Sequence, residues 1–497
     1  MIEKFLAARR AAVPILGIET PDPQVTVYEI AKESSDFPVA QWDIVRGMLP
    51  LTEKGRDLVS QVCGSEPPEY VTVDPVNVLQ RLGKITMTDV VVLMHNAPAF
   101  FNSAQFVQAV WNLRDKFKSD GSMLVLLAPS IRLPSYIKND VMVIEEPLPD
   151  VNELRTIVNE IFRAAGMKDY TEEFVEKTAR SLLGLSAFSA EQSLATSLKR
   201  DNGKIVLDQS LLWEKKCKVA EQTKGISIYR GKETFDDVVG YDNVKSFLSR
   251  IMQGPEPPEV VVFMDEIEKA LAGFGSDTSG VTGEMLGKLL TWMQMIEALG
   301  VLFIGPPGSG ESLVGLSTGN TFKKPTVIFD LSSMKGSLVG ESVAALAEAQ
   351  KVVTAMAGGM KVLVLATCNR LSSIPPELKR RFSLGTFFFD LPTPEELKAL
   401  WNFYMKKFSL NDTVNFDNTG WTGAEVKNCC NIAWRLSCSL AEASTYVVPV
   451  YKSAHEEIEN LRKMADGKFT SASSMGVYRT NLESTSTQRK LSIGGER

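Results

Sequence analysis

The residues with the most evident chemistry lie in Val301 to Ser312, VLFIGPPGSGES. An apolar run of strand length ends in a glycine-rich turn, and the residues beyond it can open a helix. That is the layout of a phosphate-cradling P-loop, in which backbone N–H groups converge on an anion. Gly305, Pro306, Pro307, Gly308, Ser309, Gly310, Glu311 and Ser312 are therefore candidate nucleotide-binding residues, and Ser312 is also a candidate metal ligand. The pattern G-x-x-x-x-G-K-[ST] asks for lysine between Gly310 and Ser312, and this chain has Glu311 there. A carboxylate turns attraction for the outer phosphates into repulsion, each on the order of a few kcal/mol at an effective dielectric near 20. Weakened nucleotide affinity and low turnover are the expectation. Gly315 and Gly319 should also weaken the following helix, by roughly 1 kcal/mol for an interior glycine.

A second constellation precedes the loop. Val260 to Glu266, VVVFMDE, is an apolar strand ending in two acids. In phosphoryl-transfer ATPases the first such acid helps hold Mg²⁺ and the second polarises the attacking water, so both must project from a strand tip. Asp265 is thus a candidate metal ligand and Glu266 a candidate base; the bland alternative is two solvated acids at a strand end. Asn369 follows the apolar run VLVLAT and could fix a water near a terminal phosphate, although a lone strand-end asparagine is more often a turn residue. Arg380 and Arg381 follow PPELK and could stabilise transition-state charge across a subunit interface.

The elements that must position these groups divide the chain. At 497 residues it exceeds one core, and 44% hydrophobic with 23% charged residues is ordinary for a soluble protein. Residues 1–165 alternate apolar strands with helix-period stretches, which predicts a parallel α/β sheet, yet ETPDPQ after its first strand lacks the glycines of a phosphate site. Residues 166–228 read as a helical, lid-like region and linker, with a basic connector from Lys215 to Lys232. Residues 229–392 carry strands at Val260, Val301, Thr326, Val362 and Thr386 with helices between them, which predicts one doubly wound sheet. Residues 393–465 read as a helical lid, opened by a capping box at Thr393 to Glu396 and continued by a second at Thr422 to Glu425. That second helix should turn Val426, Cys430, Ala433 and Leu436 inward. The tail, 466–497, is rich in serine, threonine and glycine and is expected to be disordered. The segments VLLAPSIRLPSYI at Val125 and VLATCNRLSSIPP at Val364 echo one another, as do LPDVNEL and LPTPEEL, which suggests two copies of one architecture.

Composition narrows the function classes. A net charge of −6 gives no general attraction to nucleic acid, so a nucleic-acid motor is disfavoured. Six cysteines without a C-x-x-C pair indicate neither a disulfide framework nor a zinc site, and two histidines leave little material for histidine chemistry. No apolar run reaches the ~18 residues of a membrane span, and a cytoplasmic location is the expectation.

Taken together, these residues resemble the AAA ATPase family, and more closely the plastid- and cyanobacteria-type AAA ATPases of uncertain substrate and their phage relatives. The resemblance is carried by FDDVVGYDNVKSF, MDEIEKALAG, SGVTGEMLGKLLTWM, KGSLVGES, ATCNRLSSIPPELKRRF, FFFDLPTPEEL, GWTGAEV and EEIENLRKMADGKF. It implies a P-loop AAA-type parallel sheet with a C-terminal helical lid, preceded by a degenerate α/β domain with its own helical region. It implies ATP and Mg²⁺ as cofactors, Asp265 on the magnesium side, Glu266 as base, Asn369 as sensor, and Arg380 and Arg381 as fingers. Asp237 and Val238 would border the adenine, Gly423 and Ala424 would close the nucleotide from the lid, and KGSLVGES, with Leu338, would form a central-pore loop. It further implies a homo-oligomeric ring, of hexamer type, that remodels a macromolecular partner by hydrolysing ATP at subunit interfaces. The alternative is a non-hydrolysing scaffold or regulatory protein that lost the loop lysine.

In that family the acidic strand follows the phosphate loop. Residues 255–294 would fit between Ala357 and Gly358 and restore that order. Parallel strands joined by long crossovers keep their places when chain order changes. The strands, named by first residue, should therefore lie in the order Thr386, Val301, Val362, Val260, Thr326, with Asp265 within reach of Gly310 and Ser312.

Overall fold

The computed structural model describes residues 1–64, 66–168, 170–201, 204–270, 281–334, 341–370 and 374–480. The expected pore-loop residues Lys335 to Gly340, Leu338 among them, fall outside these, as do residues 481–497. The chain forms two compact units, Met1–Pro149 with Ser186–Gln192, and Asp150–Leu185 with Ser193 onward.

The first unit is built on β1 (Ile15–Glu19), β2 (Val39–Asp43), β3 (Gly47–Pro50), β4 (Val91–His95), β5 (Met123–Ala128) and β6 (Met142–Glu145). They lie in the order β3-β2-β4-β5-β1-β6. All neighbours are parallel except β2 and β3, which form a hairpin. Strands β4 and β5 are almost wholly apolar because helices cover both faces of the sheet, leaving no solvent side on which a polar alternation could appear. The hairpin strand β3 is the element that sequence pattern missed, since GMLP buries only two residues. After ETPDPQ, Thr26 in the first turns of the next helix donates to the Glu146 carboxylate.

The second unit opens with helices and a hairpin of β7 (Leu198–Asp201) and β8 (Lys204–Leu207), inside the stretch expected to be helical and linker. The expected soluble connector from Lys215 is instead the end of a helix, Gln209–Ala220, with Lys216 only 4% exposed, followed by strand β9 (Ile226–Ile228). The main strands are β10 (Val260–Met264), β11 (Leu299–Ile304), β12 (Thr326–Phe329), β13 (Val362–Cys368) and β14 (Gly385–Phe388), with a short β15 (Thr470–Ser471). Their order is β15-β14-β11-β13-β10-β12-β9, so the five central strands stand in the order anticipated from sequence. Those five run parallel, with Val260 opposite Val362 and Val261 opposite Thr326.

The two units share one plan. Across the first sheet β6, β1, β5, β4 and β2 correspond in place to β14, β11, β13, β10 and β12 of the second. In the first unit the strand in the fourth place, β4, comes after β1 and β2 in the chain. In the second, the strand in that place, β10, comes before all the others of the five. The sequences at that place also match, Val90 to Asn96 reading VVVLMHN and Val260 to Glu266 reading VVVFMDE. Asn96 and Glu266 share a left-handed backbone, φ 53 and φ 46.

Two apolar layers sandwich the second sheet. Helices Val281–Met295 and Glu341–Ala357 pack Leu289, Trp292 and Val353 against one face. Helices Asp242–Met252 and Glu311–Thr321 pack Val244, Leu248 and Val314 against the other. The lid has its own core around Leu400, Trp401, Trp421 and Cys430, and both expected capping boxes are formed. Leu436, expected inward, is 59% exposed, because Ser437 takes a left-handed turn and the helix ends before its last residue reaches the core.

Residues 466–480, expected to be disordered, are ordered. β15 pairs with the edge strand β14, Val244 N–H donates to Ala472 O, and the Tyr478 hydroxyl donates to Asp390 Oδ2 at 2.7 Å. Arg462 reaches the other oxygen of Asp390 at 2.8 Å. A low-complexity composition does not prevent order when a sheet edge offers unpaired N–H and C=O groups.

Candidate functional site

β11 ends in the loop Gly305–Gly310, and the helix Glu311–Thr321 starts directly from it. Gly310 has φ 112, a conformation that side chains with a Cβ rarely adopt, and it turns the chain from loop to helix. Gly315 and Gly319 answer a different need. A Cβ on Gly315 would stand 2.4 Å from Phe263 Cε2, and one on Gly319 would stand 2.1 Å from Thr326 Oγ1. The helix gives up propensity so that it can lie against β10 and β12 and hold the loop over their tips.

Crossover topology then brings the acids to the loop. The Ser312 hydroxyl donates to Asp265 Oδ1 at 2.8 Å, across 47 residues of chain. Thr367, at the end of β13, donates to the same oxygen at 2.7 Å and accepts from the Glu266 N–H at 2.8 Å. Asn369 Nδ2 donates to Glu266 Oε1 at 3.3 Å, and Lys269 pairs with Oε2. Glu266 therefore sits in strained left-handed backbone, held from three sides; strain of this kind costs ~1–3 kcal/mol and persists only where the surroundings enforce it. Ser312 and Asp265 supply two neighbouring oxygens, with Asp265 exposed. That donor set suits a hard cation completed by phosphate oxygens and water. Among the described residues no cluster of three or more His, Cys, Asp or Glu could hold a metal alone.

Glu311 does not point to solvent. It is 7% exposed, and a Cβ on Gly305 would meet its Oε1 at 2.5 Å. Burial pushes its carboxyl up to about 7; the N–H groups of Glu311 and Gly310 and the Ser309 hydroxyl work against that rise, and the Asp265 charge adds to it. The Ser309 hydroxyl has one proton and two acceptors in reach, the Glu311 carboxylate and the Pro306 carbonyl at 2.8 Å.

The remaining predicted residues are distributed as follows. Gly423 and Ala424 begin the second lid helix, and Ala424 N–H reaches Gly308 O at 3.4 Å, so the lid touches the loop. Asp237 and Val238 flank a short turn whose Phe235 N–H bonds Thr321 at the far end of the loop helix; Val238 packs in the same layer as Val314, and Asp237 caps the turn through the Thr234 N–H. Arg380 is exposed. Arg381 is half-buried and donates to exposed Gln294 Oε1 at 2.7 Å, which separates two residues that sequence treated alike.

Sequence reasoning missed Thr367, Lys269 and Tyr241. Thr367 lies two residues before Asn369 in VLVLATCN, a polar residue closing an apolar strand, and that signal was available. Tyr241 was not so marked. Its phenol is buried and donates to Ser309 O beneath the loop, and burial, with the nearby Glu311, Glu396 and Asp390 charges, keeps it protonated.

A family model described as "SpoVK-like AAA ATPase, N-terminal domain" matches residues 1–146. The chain is 21% identical to the "Uncharacterized AAA domain-containing protein ycf46" of Guillardia theta, over 95% of this chain and 96% of that protein. A protein of the same description from Gracilaria tenuistipitata var. liui is 22% identical over 69% of this chain and 72% of its own, and one from Pyropia yezoensis is 19% identical over 93% and 97%. Among the described residues no helix is long and apolar enough to cross a membrane. At low identity but along nearly the full length of two of these relatives, the chain is similar to proteins described as AAA domain-containing and uncharacterized.

Proposed function

We propose that this protein binds ATP with Mg²⁺ and hydrolyses it as an AAA-type ATPase, slowly, and that the acidic strand has been transposed ahead of the phosphate loop. The single observation that carries the reading is the meeting of Ser312 with Asp265, and of Glu266 with Asn369, at the tips of β11, β10 and β13. The first unit supports the transposition, since its fourth-place strand comes later in the chain while the sheet order is the same.

In this reading Ser312 and Asp265 hold the cation, which when bound neutralises charge on the outer phosphates. The loop N–H groups bind the phosphate oxygens. Glu266 takes the proton of the attacking water, and Asn369 holds the carboxylate and that water in line. Lys269, paired to Glu266, must release it for the base to be free. Thr367 fixes the Asp265 carboxylate and the Glu266 backbone N–H and acts as a positioning residue. Exposed Arg380, rather than Arg381, is the finger for a neighbouring subunit in a ring that remodels a macromolecular partner. Gly423 and Ala424 close the lid side, and Asp237 and Val238 border the base.

Titration of the purified chain with ATP tests the loop, and phosphate release compared with Glu266→Gln tests the chemistry. Saturable binding and release above the variant's rate are expected. Equal rates would leave a nucleotide-binding scaffold, and no binding would remove the nucleotide reading.

A further inference from the structure

We propose that Glu311 is a self-ligand of the phosphate loop: its carboxylate occupies the N–H-lined interior where a phosphate would sit, so a polyphosphate enters only by displacing it. The inference rests on the nucleotide reading of the loop and concerns how that site is gated.

A glutamate at the first position of a helix ordinarily extends into water, where it still favours the positive end of the helix. Glu311 instead folds back across the loop it follows. Its Oε1 lies over Gly305, the first loop residue, which has no Cβ to meet it, and the side chain is 7% exposed. The N–H groups of Gly310 and Glu311 and the Ser309 hydroxyl surround it, an arrangement of donors that suits an anion. Tyr241 closes the floor by bonding Ser309 O. The charge recorded as acting on it, Asp265, is itself acidic and does not draw the carboxylate in. The missing Cβ of Gly305 gives the Glu311 side chain its place, and the loop donors offset part of the cost of burying it.

Occupancy and charge make different predictions. If Glu311 only repels phosphate, a neutral side chain of any size relieves it. If it also fills the loop, Glu311→Gln keeps an oxygen in the same place and relieves the loop only in part, while Glu311→Ala empties it. The full chain and both variants would be titrated with inorganic pyrophosphate and with ATP, and amide hydrogen exchange would be followed at Gly310 to Ser312 without ligand. Affinity should rise from wild type to Gln to Ala, with Ala at least about tenfold tighter than wild type, since the loop interior no longer has to be vacated before phosphate enters. Exchange at Gly310 to Ser312 should be about tenfold faster in Ala than in wild type. Equal affinities for Gln and Ala, or unchanged exchange, would overturn the self-ligand. If no form binds either probe but exchange still rises in Ala, the self-ligand stands and the nucleotide reading falls.

Discussion

Gly315 offers a test in which local and tertiary reasoning predict opposite signs. In the middle of the loop helix, glycine to alanine should stabilise by ~1 kcal/mol through helix propensity alone. The packing says otherwise. The new methyl would lie 2.4 and 2.6 Å from two ring carbons of Phe263, whose side chain is 1% exposed in the central strand β10. Those distances must open by about 1 Å to reach ordinary contact near 3.5 Å. The ring is packed among Val261, Val314 and Leu365 and has no free volume to enter, so the helix must lift. Overpacking of this kind costs ~1–3 kcal/mol, which outweighs the propensity gain. Lifting the helix also draws Ser312, one turn earlier, away from Asp265 at 2.8 Å. Gly287→Ala is the control, because Gly287 is exposed in a helix and its added methyl meets nothing within 4 Å. In urea unfolding followed by circular dichroism, Gly315→Ala should lower the midpoint and Gly287→Ala should raise it. Nucleotide affinity should fall only in the first. A Gly315→Ala midpoint above wild type would refute the packing argument.

Glu311→Lys should tighten ATP binding and raise phosphate release, replacing a repulsion with an attraction on the order of a few kcal/mol at an effective dielectric near 20, as measured by titration and turnover. Unchanged binding would count against the loop as a nucleotide site. Lys216 is buried, and desolvation lowers its ammonium from 10.5 to about 8. Below pH 8 the ammonium is charged in both states and its burial cost is fully present; from 8 to 10.5 the folded state has released the proton that the unfolded state retains, so stability rises with pH. Lys216→Met should therefore be more stable than wild type at neutral pH, by on the order of 3 kcal/mol, with the gap closing toward pH 10.5 in unfolding experiments. Tyr478→Phe removes the 2.7 Å bond to Asp390 and should cost ~1.5–3 kcal/mol, with faster proteolysis after Asp466. Wild-type protection would mean that the C-terminal strand is held by its backbone pairing alone.

Much of the architecture was legible in the chain. The five central strands are short apolar runs, and their boundaries depend on local pattern, because a strand covered on both faces has no room for polar side chains. The order of those strands followed from crossover topology, which constrains parallel sheets whatever the order of segments. The loop, the Asp265–Glu266 pair and Asn369 were visible for a similar reason: a residue that must project from a strand tip sits at a readable place, just after an apolar run.

Other features depended on atoms brought from far away in sequence. Gly315 and Gly319 looked like weaknesses in a helix until Phe263 and Thr326 lay beneath them. Arg380 and Arg381 are neighbours with one charge each, and only the position of Gln294 separates the exposed one from the paired one. Residues 466–480 have the composition of a tail and are ordered around a two-residue strand, Thr470–Ser471, that pairs with the open edge of β14. Glu311 shows the division most clearly. Its identity, a carboxylate where lysine belongs, is a matter of sequence and sets the sign of the charge. Its direction, folded into the loop over Gly305, was decided by the tertiary structure, where the absence of a Cβ left room for it beside the loop N–H groups.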